Sequence, residues 1–326
     1  MRIKRSRCVS HPVEPGTVAM VVSVGVSASR PAPVGEDSRG ILHPAVLQRL
    51  VRLTRFPAGP GLAGLVDRFW AVEWDLPLGT THAQQVLTHP CGNISVSHAD
   101  ARAGAGEAGR VHARLNGVAR TLTTRYLAGR GWAAAAMTTP GGLGAFLGRP
   151  ASAFTDRVVP LGPPLGLDQA RLVEEVCAQP DAQARARVLE RALNGVLAAA
   201  DPQRVRRARQ VAEVAKIAET DRSVRQLRHL CDRAGLGART LQRMFLQYAG
   251  VPPTWVLRRY RLLDAAEAVR QGQPVEWAAL AADLGYADQA HLIRDFRAVI
   301  GQTPAAYAQS QSAAADGRAG PAPARR

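Results

Sequence analysis

Arginine, glutamine and histidine recur at helical spacing in two short stretches of the last third of the chain. The first is "ARTLQRMFL" (Ala238–Leu246), with Arg239, Gln242 and Arg243. The second is "DQAHLIRDFR" (Asp288–Arg297), with Gln289, Ala290, His291 and Arg294. At about 100° per residue, Leu241, Met244 and Phe245 gather on one side of the first helix; Arg239 and Arg243 lie opposite, with Gln242 flanking. In the second helix Leu292 and Phe296 make the apolar face. Ala290, His291 and Arg294 face away from it, and Gln289 sits in the first turn. Arginine donates a bidentate pair to guanine N7 and O6, and glutamine pairs similarly with adenine, so such faces carry the chemistry of base-edge reading. The bland alternative is a solvated polar face on an ordinary helical bundle.

The elements that must position these faces repeat. "LCDRAGLGARTLQRMFLQYAGVPP" (Leu230–Pro253) aligns with "LAADLGYADQAHLIRDFRAVIGQTP" (Leu280–Pro304) when Gly235 is set on Gly285. Leu230 then matches Leu280, and Leu236 matches Tyr286. With one extra residue in the second turn, Leu241 matches Leu292, Arg243 matches Arg294, Phe245 matches Phe296, Gly250 matches Gly301 and Pro253 matches Pro304. Each copy reads as helix, glycine turn, helix, because glycine tolerates the left-handed conformation that ends the first helix. A short turn containing glycine between two helices is the mark of a helix-turn-helix. Two copies with arginine at matched positions favour reading over a merely solvated face. Between them, "TWVLRRYRLLDAAEAVRQG" (Thr254–Gly272) carries the stripe Val256, Tyr260, Leu263 and Ala266, which predicts one connecting helix.

At these residues the chain resembles the AraC-type (AraC/XylS) family of bacterial transcription regulators. The resemblance spans roughly residues 224–307 and rests on "ARTLQRMF", "GVPPTWVLRRYRL", "LAADLGYADQAHLIRDF" and "GQTPAAY". It implies two helix-turn-helix units joined by a central helix, with recognition helices entering successive major-groove segments of double-stranded DNA. Carried over by motif position, Arg239, Gln242, Arg243, Gln289, Ala290, His291 and Arg294 are the base-reading candidates. Arg258, Arg259 and Arg261 are candidates for phosphate contacts or structural pairing. Two positions depart from the pattern: Gly237-Ala238 stands where Ser-Pro usually opens the first recognition helix, and Leu292 replaces a usual Phe. Gly237 is the weaker N-cap. More loosely, "LVDRFWAVEW", "THPCGNISV", "GRGWAAAAMTTPGGLGAFLG" and "FTDRVVPL" resemble a sensor-like domain found ahead of such units.

The whole chain has 326 residues and a net charge of +16. That basicity suits a polyanionic partner, although nearly all of it is arginine, with Lys4 and Lys216 the only lysines. The expected fold class is α+β: an N-terminal β-rich, barrel-like sensor domain with helices, then an all-α domain of two helix-turn-helix units joined by a central helix. Short β-prone runs such as "FWAVEW" and "NISVS", separated by the turn clusters "HPCGN", "AGRG" and "PGGLG", indicate the former. The expected division is a flexible leader over 1–45, an effector or dimerisation domain over 46–203, the DNA-binding domain over 204–309 and a disordered tail over 310–326. Basic "MRIKRSR" ahead of "TVAMVVSVGVSAS" faintly resembles a signal peptide. His11, Pro12, Glu14 and Pro15 interrupt it, which leaves a disordered extension or a start at Met20 or later. A cytoplasmic location is expected.

Cys8, Cys91, Cys177 and Cys231 show no metal-ligand spacing, and His82, His89, His98 and His112 have no tight spacing either, so no metal and no cofactor is expected. Cys91 is either a reactive thiol beside His89 or an inert turn cysteine. "PGGLGAFLG" lacks the Gly-Lys-Ser/Thr ending of a phosphate loop and reads as a turn before a short helix. Trp70, Trp74 and Trp132 read as core or as pocket lining. The expected partners are double-stranded DNA, a small-molecule effector, RNA polymerase and a second copy of the chain, with no membrane. Two competing readings are a cysteine-based alkyl-transfer sensor enzyme fused to a DNA-binding domain and a nonspecific nucleic-acid-binding protein. The first would need a Cys-rich metal site or a Pro-Cys-His motif, and the second has no use for paired reading heads.

Overall fold

The computed structural model describes residues 38–100, 110–270 and 276–315. The signal-peptide-like stretch, Cys8, most of the expected leader and the end of the expected tail lie outside them. The described residues begin with α1 (Pro44–Leu50) and then build eight strands: β1 (Val51–Pro57), β2 (Val66–Asp75), β3 (Thr81–Val86), β4 (Asn93–Ala99), β5 (Val111–Asn116), β6 (Thr123–Ala128), β7 (Arg130–Thr138) and β8 (Val158–Pro160). Six form one antiparallel sheet in the order β1-β2-β7-β4-β5-β8; β3 and β6 pair separately as a two-stranded sheet. The barrel-like domain thus takes the form of two antiparallel sheets.

The side-chain pattern explains the register. In β2, Phe69 and Ala71 point into the core at strand period, while Val66 sits three residues before Phe69 and is buried too. The β2–β7 register shifts between Val66 and Arg68, a bulge that returns Val66 to the inner face. The central strand β7 is alanine-rich. Ala134 lies opposite Val96 and Ala136 opposite Ile94, and small side chains let α5 (Ala182–Ala198) pack closely over β7 and β2. "PGGLGAFLG" is a turn with Gly141 at φ 94° that leads into α2 (Leu143–Phe146). After α3 (Gly162–Leu165) comes α4 (Gln169–Cys177). Asp168 caps α4 and Asp181 caps α5, each accepting a backbone N–H of the first turn.

Helix α6 (Pro202–Thr220) joins the two halves. Asp201 caps it and Pro202 occupies its first turn. Ala208 belongs to the core of the sheet domain, whereas Val211, Val214, Ala215 and Ala218 belong to the helical core. The boundary expected between residues 203 and 204 therefore falls inside the first turn of a helix that both cores share. The helical half continues with α7 (Leu227–Ala234), α8 (Ala238–Tyr248), α9 (Pro253–Arg270), α10 (Trp277–Asp283), α11 (Gln289–Ile300) and α12 (Pro304–Ala315).

Two expectations at the ends need correction. Residues 38–45 are not a flexible leader. Leu42 is buried in the helical core, Leu42 N–H donates to Gln85 O, and Leu87 N–H donates to Gly40 O. At the other end α12 runs to Ala315, past the boundary expected at Gln309. Alanine has the highest helix propensity, and the Ala-rich composition read as a tail extends the helix instead.

Candidate nucleic-acid interface

The repeat holds at the level of single hydrogen bonds. Gly235 and Gly285 both adopt positive φ, 62° and 72°. Leu236 N–H donates to Cys231 O at 3.2 Å, and Tyr286 N–H donates to Ala281 O at 2.8 Å, the six-to-one closure of a glycine-ended helix in both copies. Gly250 and Gly301, which end α8 and α11, also match, at φ 83° and 86°. In both copies the first helix is stopped, and the second helix ended, in the same way.

Leu241, Phe245, Leu292 and Phe296 are all 0% exposed. Full burial of side chains of this size contributes roughly 1.5–3 kcal/mol each, which seats both helices. On the other side of α8, Arg239, Gln242 and Arg243 are exposed. On α11, Gln289, Ala290 and Arg294 are exposed and His291 is half-buried, its ring edge-on to Tyr286 with centroids 5.2 Å apart. The N-terminal ends differ. Asp288 caps α11 and accepts His291 N–H at 2.6 Å, while Gly237 gives α8 no side-chain cap.

The three arginines of the connecting helix α9 have different surroundings. Arg258 makes a two-point pair with Asp295 of α11. Arg261 donates to the carbonyl of Arg225. Arg259 points into the molecule: 2% exposed, it donates to Thr88 O and Arg120 O of the sheet domain and lies 4.6 Å from the centre of the Trp255 ring. Burial lowers its pKa to about 10, with Asp156 offsetting part of that effect, so it remains charged at neutral pH.

The sheet domain grips the helical half at further points. Arg39 bridges Glu219 of α6 and Asp264 of α9, at 3.1 and 2.6 Å. Thr155 Oγ1 donates to Gly250 O at 2.6 Å, just past α8. Gly144 lies so close to Tyr248 that a Cβ would come within 2.6 Å of its Cα. A cavity of about 250 Å³ opens along this seam, lined by Arg39, His89, Cys91, Lys216, Glu219 and Tyr260 among others. Sequence reasoning missed Arg39 and Thr155, because a partner that distant in the chain leaves no local pattern.

Of the side chains considered for other chemistry, Cys91 is buried, and burial raises its thiol well above the ordinary range, the opposite of an activated nucleophile. Burial also raises Cys177 and Cys231. Trp74 is in the core and donates to Ala128 O. Trp70 donates to Asn93, and Trp132 carries the Arg185 guanidinium 4.4 Å above its ring. Among the described residues no three His, Cys, Asp or Glu side chains form a metal-binding group, and no helix is long and apolar enough to cross a membrane.

Residues 230–310 match the model of a helix-turn-helix domain. The C-terminal part of the chain therefore carries a helix-turn-helix domain. Residues 54–160, most of the sheet domain, match a domain of unknown function (DUF6597). No curated protein matches the chain. Among solved structures, it is similar to ToxT of Vibrio cholerae. The apo form from strain SCE256 has TM-score 0.34 and 13% identity over 74% of this chain and 97% of that one. ToxT from O395 has TM-score 0.35 and 10% identity over 75% and 98%. Unsaturated-fatty-acid-bound wild-type ToxT has TM-score 0.35 and 11% identity over 74% and 94%. The helix-turn-helix domain supports a DNA-binding transcription regulator.

Proposed function

We propose that the chain is a sequence-specific regulator that reads two successive major-groove segments with α8 and α11, under the control of its sheet domain. The observation that carries this reading is the paired presentation of Arg239, Gln242 and Arg243 on one helix and Gln289, Ala290 and Arg294 on the other, all exposed, above anchors with no exposed surface. His291 adds a half-buried reader. A helix fits the major groove and reads bases from its N-terminal half, where these residues stand. Positive charge draws the domain to DNA, and the segment 204–309 has 17 Lys and Arg against 10 Asp and Glu.

Control through the sheet domain is supported by the seam. Arg259, on the helix between the reading heads, is held by carbonyls of the sheet domain, and the loop that supplies one of them, at Thr88, continues into His89 and Cys91 of the cavity wall. A small-molecule effector bound there would act directly on the mounting of α9. RNA polymerase and a second copy of the chain are further partners of this reading, and its setting is the cytoplasm. No catalytic role is assigned: a thiol whose pKa burial raises does not support alkyl transfer.

The test is titration of the full chain on duplexes selected from random sequence and on scrambled duplexes, across a salt series. The expected outcome is a clear preference for the selected duplex and a steep fall of affinity with salt. Equal affinity for both at every salt concentration would overturn sequence-specific reading and leave the nonspecific one.

A further inference from the structure

Asp295 stands on the second recognition helix directly after Arg294, yet its side chain is only 12% exposed. It accepts from Nε and Nη2 of Arg258 on α9, at 3.2 and 2.5 Å. The central helix α9 and α11 are thereby tied at one point. Buried Tyr286, in the turn before α11, carries the His291 ring edge-on against its own.

The internal repeat shows what this position is for. With Arg243 on Arg294, the counterpart of Asp295 is Met244, which is 6% exposed and packed in the helical core with Leu241 and Phe245. In both copies the residue after the outward arginine turns inward. The first copy fills the place with a flexible apolar side chain, and α8 is further braced by the sheet domain at Gly144 and Thr155. The second copy fills it with a two-point ion pair, which, unlike an apolar contact, has a preferred direction.

We propose that the Arg258–Asp295 pair is a positioning device that fixes the angle of α11 against α9 and so sets the spacing between DNA segments that the two heads accept together. Neither residue reads a base. The proposal rests on the two-headed reading above. It also gives Arg258 a structural partner rather than a phosphate, since Nε and Nη2 of its guanidinium donate to Asp295.

The sign of one substitution separates the two roles. If Arg258 held a phosphate, Asp295→Asn would free it and remove a negative charge near DNA, so binding would tighten on every sequence. If the pair positions α11, Asp295→Asn weakens binding to the selected site and loosens the spacing requirement. The experiment uses the full chain as wild type, Asp295→Asn, Arg258→Ala and the exchange Arg258→Asp with Asp295→Arg. Each is titrated on the selected duplex and on duplexes with one base pair added or removed between the two segments, and a melting curve is recorded for each. The single variants are expected to lose roughly three- to tenfold on the selected spacing, the scale of one coupled contact, and to lose less on the altered spacings. The exchange is expected to recover most of that loss, which a variant that merely unfolds cannot do. Asp295→Asn with equal or tighter binding and an unchanged spacing preference overturns the positioning role. Arg294→Ala is run alongside: full affinity and preference there overturn the two-headed reading itself, a separate failure.

Discussion

Arg239 and Arg294 are exposed, and neither takes part in seating its helix. Arg239→Ala and Arg294→Ala should therefore melt as the wild type does and cost roughly 1–3 kcal/mol on the selected site, each relaxing preference at one base position. On scrambled DNA, where only the phosphate field acts, the cost should be much smaller. Titrations on both duplexes at fixed salt measure the difference, and retention of full preference would restore the solvated-face alternative. Leu292, in the same helix as Arg294, should fail in the other way. Its side chain has no exposed surface and belongs to the helical core, so Leu292→Ala should destabilise by about 2–5 kcal/mol, read from a denaturant midpoint. One helix is thus expected to separate into residues whose loss is felt by DNA and residues whose loss is felt by the fold.

At the scale of elements, the glycine turn decides how α11 is presented. Gly285 has φ 72°, and a Cβ there would lie 2.9 Å from the Arg225 side chain. Left-handed backbone costs a non-glycine residue about 1–2 kcal/mol, and the contact with Arg225 adds to it. Gly285→Ala should lower the melting temperature and weaken specific binding together, because the turn also carries Tyr286 and, through its ring, His291. Gly237→Ala is the contrasting variant: that position has φ −66° and nothing within 4 Å of an added Cβ. Only the weak capping preference for glycine is lost there, so a stability loss as large as that of Gly285→Ala would contradict this account of the turn.

For the whole molecule, the consequence of the seam is that the two halves are not beads on a string. Helix α6 contributes to both cores, and Arg259 reaches from the DNA-binding half to carbonyls of the sheet domain. Arg259→Met keeps an apolar stem but takes the donors away from Thr88 O and Arg120 O. The expected result is faster amide hydrogen exchange over residues 88–92 and 118–122 and a stability loss of about 1–3 kcal/mol, from the loss of two part-buried hydrogen bonds to a charged donor. Unchanged protection in both segments would show that Arg259 does not hold the seam. The short connection Ala199–Asp201, between α5 and α6, is the place where a protease should cut if it cuts between the halves.

The sequence alone determined the two matched helix-turn-helix units. Gly235, Gly285, Gly250 and Gly301 mark backbone that only glycine adopts without strain, and the Leu and Phe anchors recur at helical spacing, so local rules suffice to place the turns, the buried faces and the outward arginines. The β-rich texture of the first half was legible for the same reason, through short β-branched and aromatic runs between glycine turns. Tertiary structure alone decided how the connecting helix is used. The stripe of Val256, Tyr260, Leu263 and Ala266 has Arg259 on its face, but buried Leu257, Leu262 and Ala265 lie off that stripe, and nothing in the spacing names a partner for Arg259, Arg258 or Arg261. One went inward to the sheet domain and one to Asp295, each choice set by a partner more than thirty residues away in sequence. Residues 38–45 were illegible too, since backbone hydrogen bonds to Gln85 and Leu87 hold them, and such bonds leave no trace in residue type.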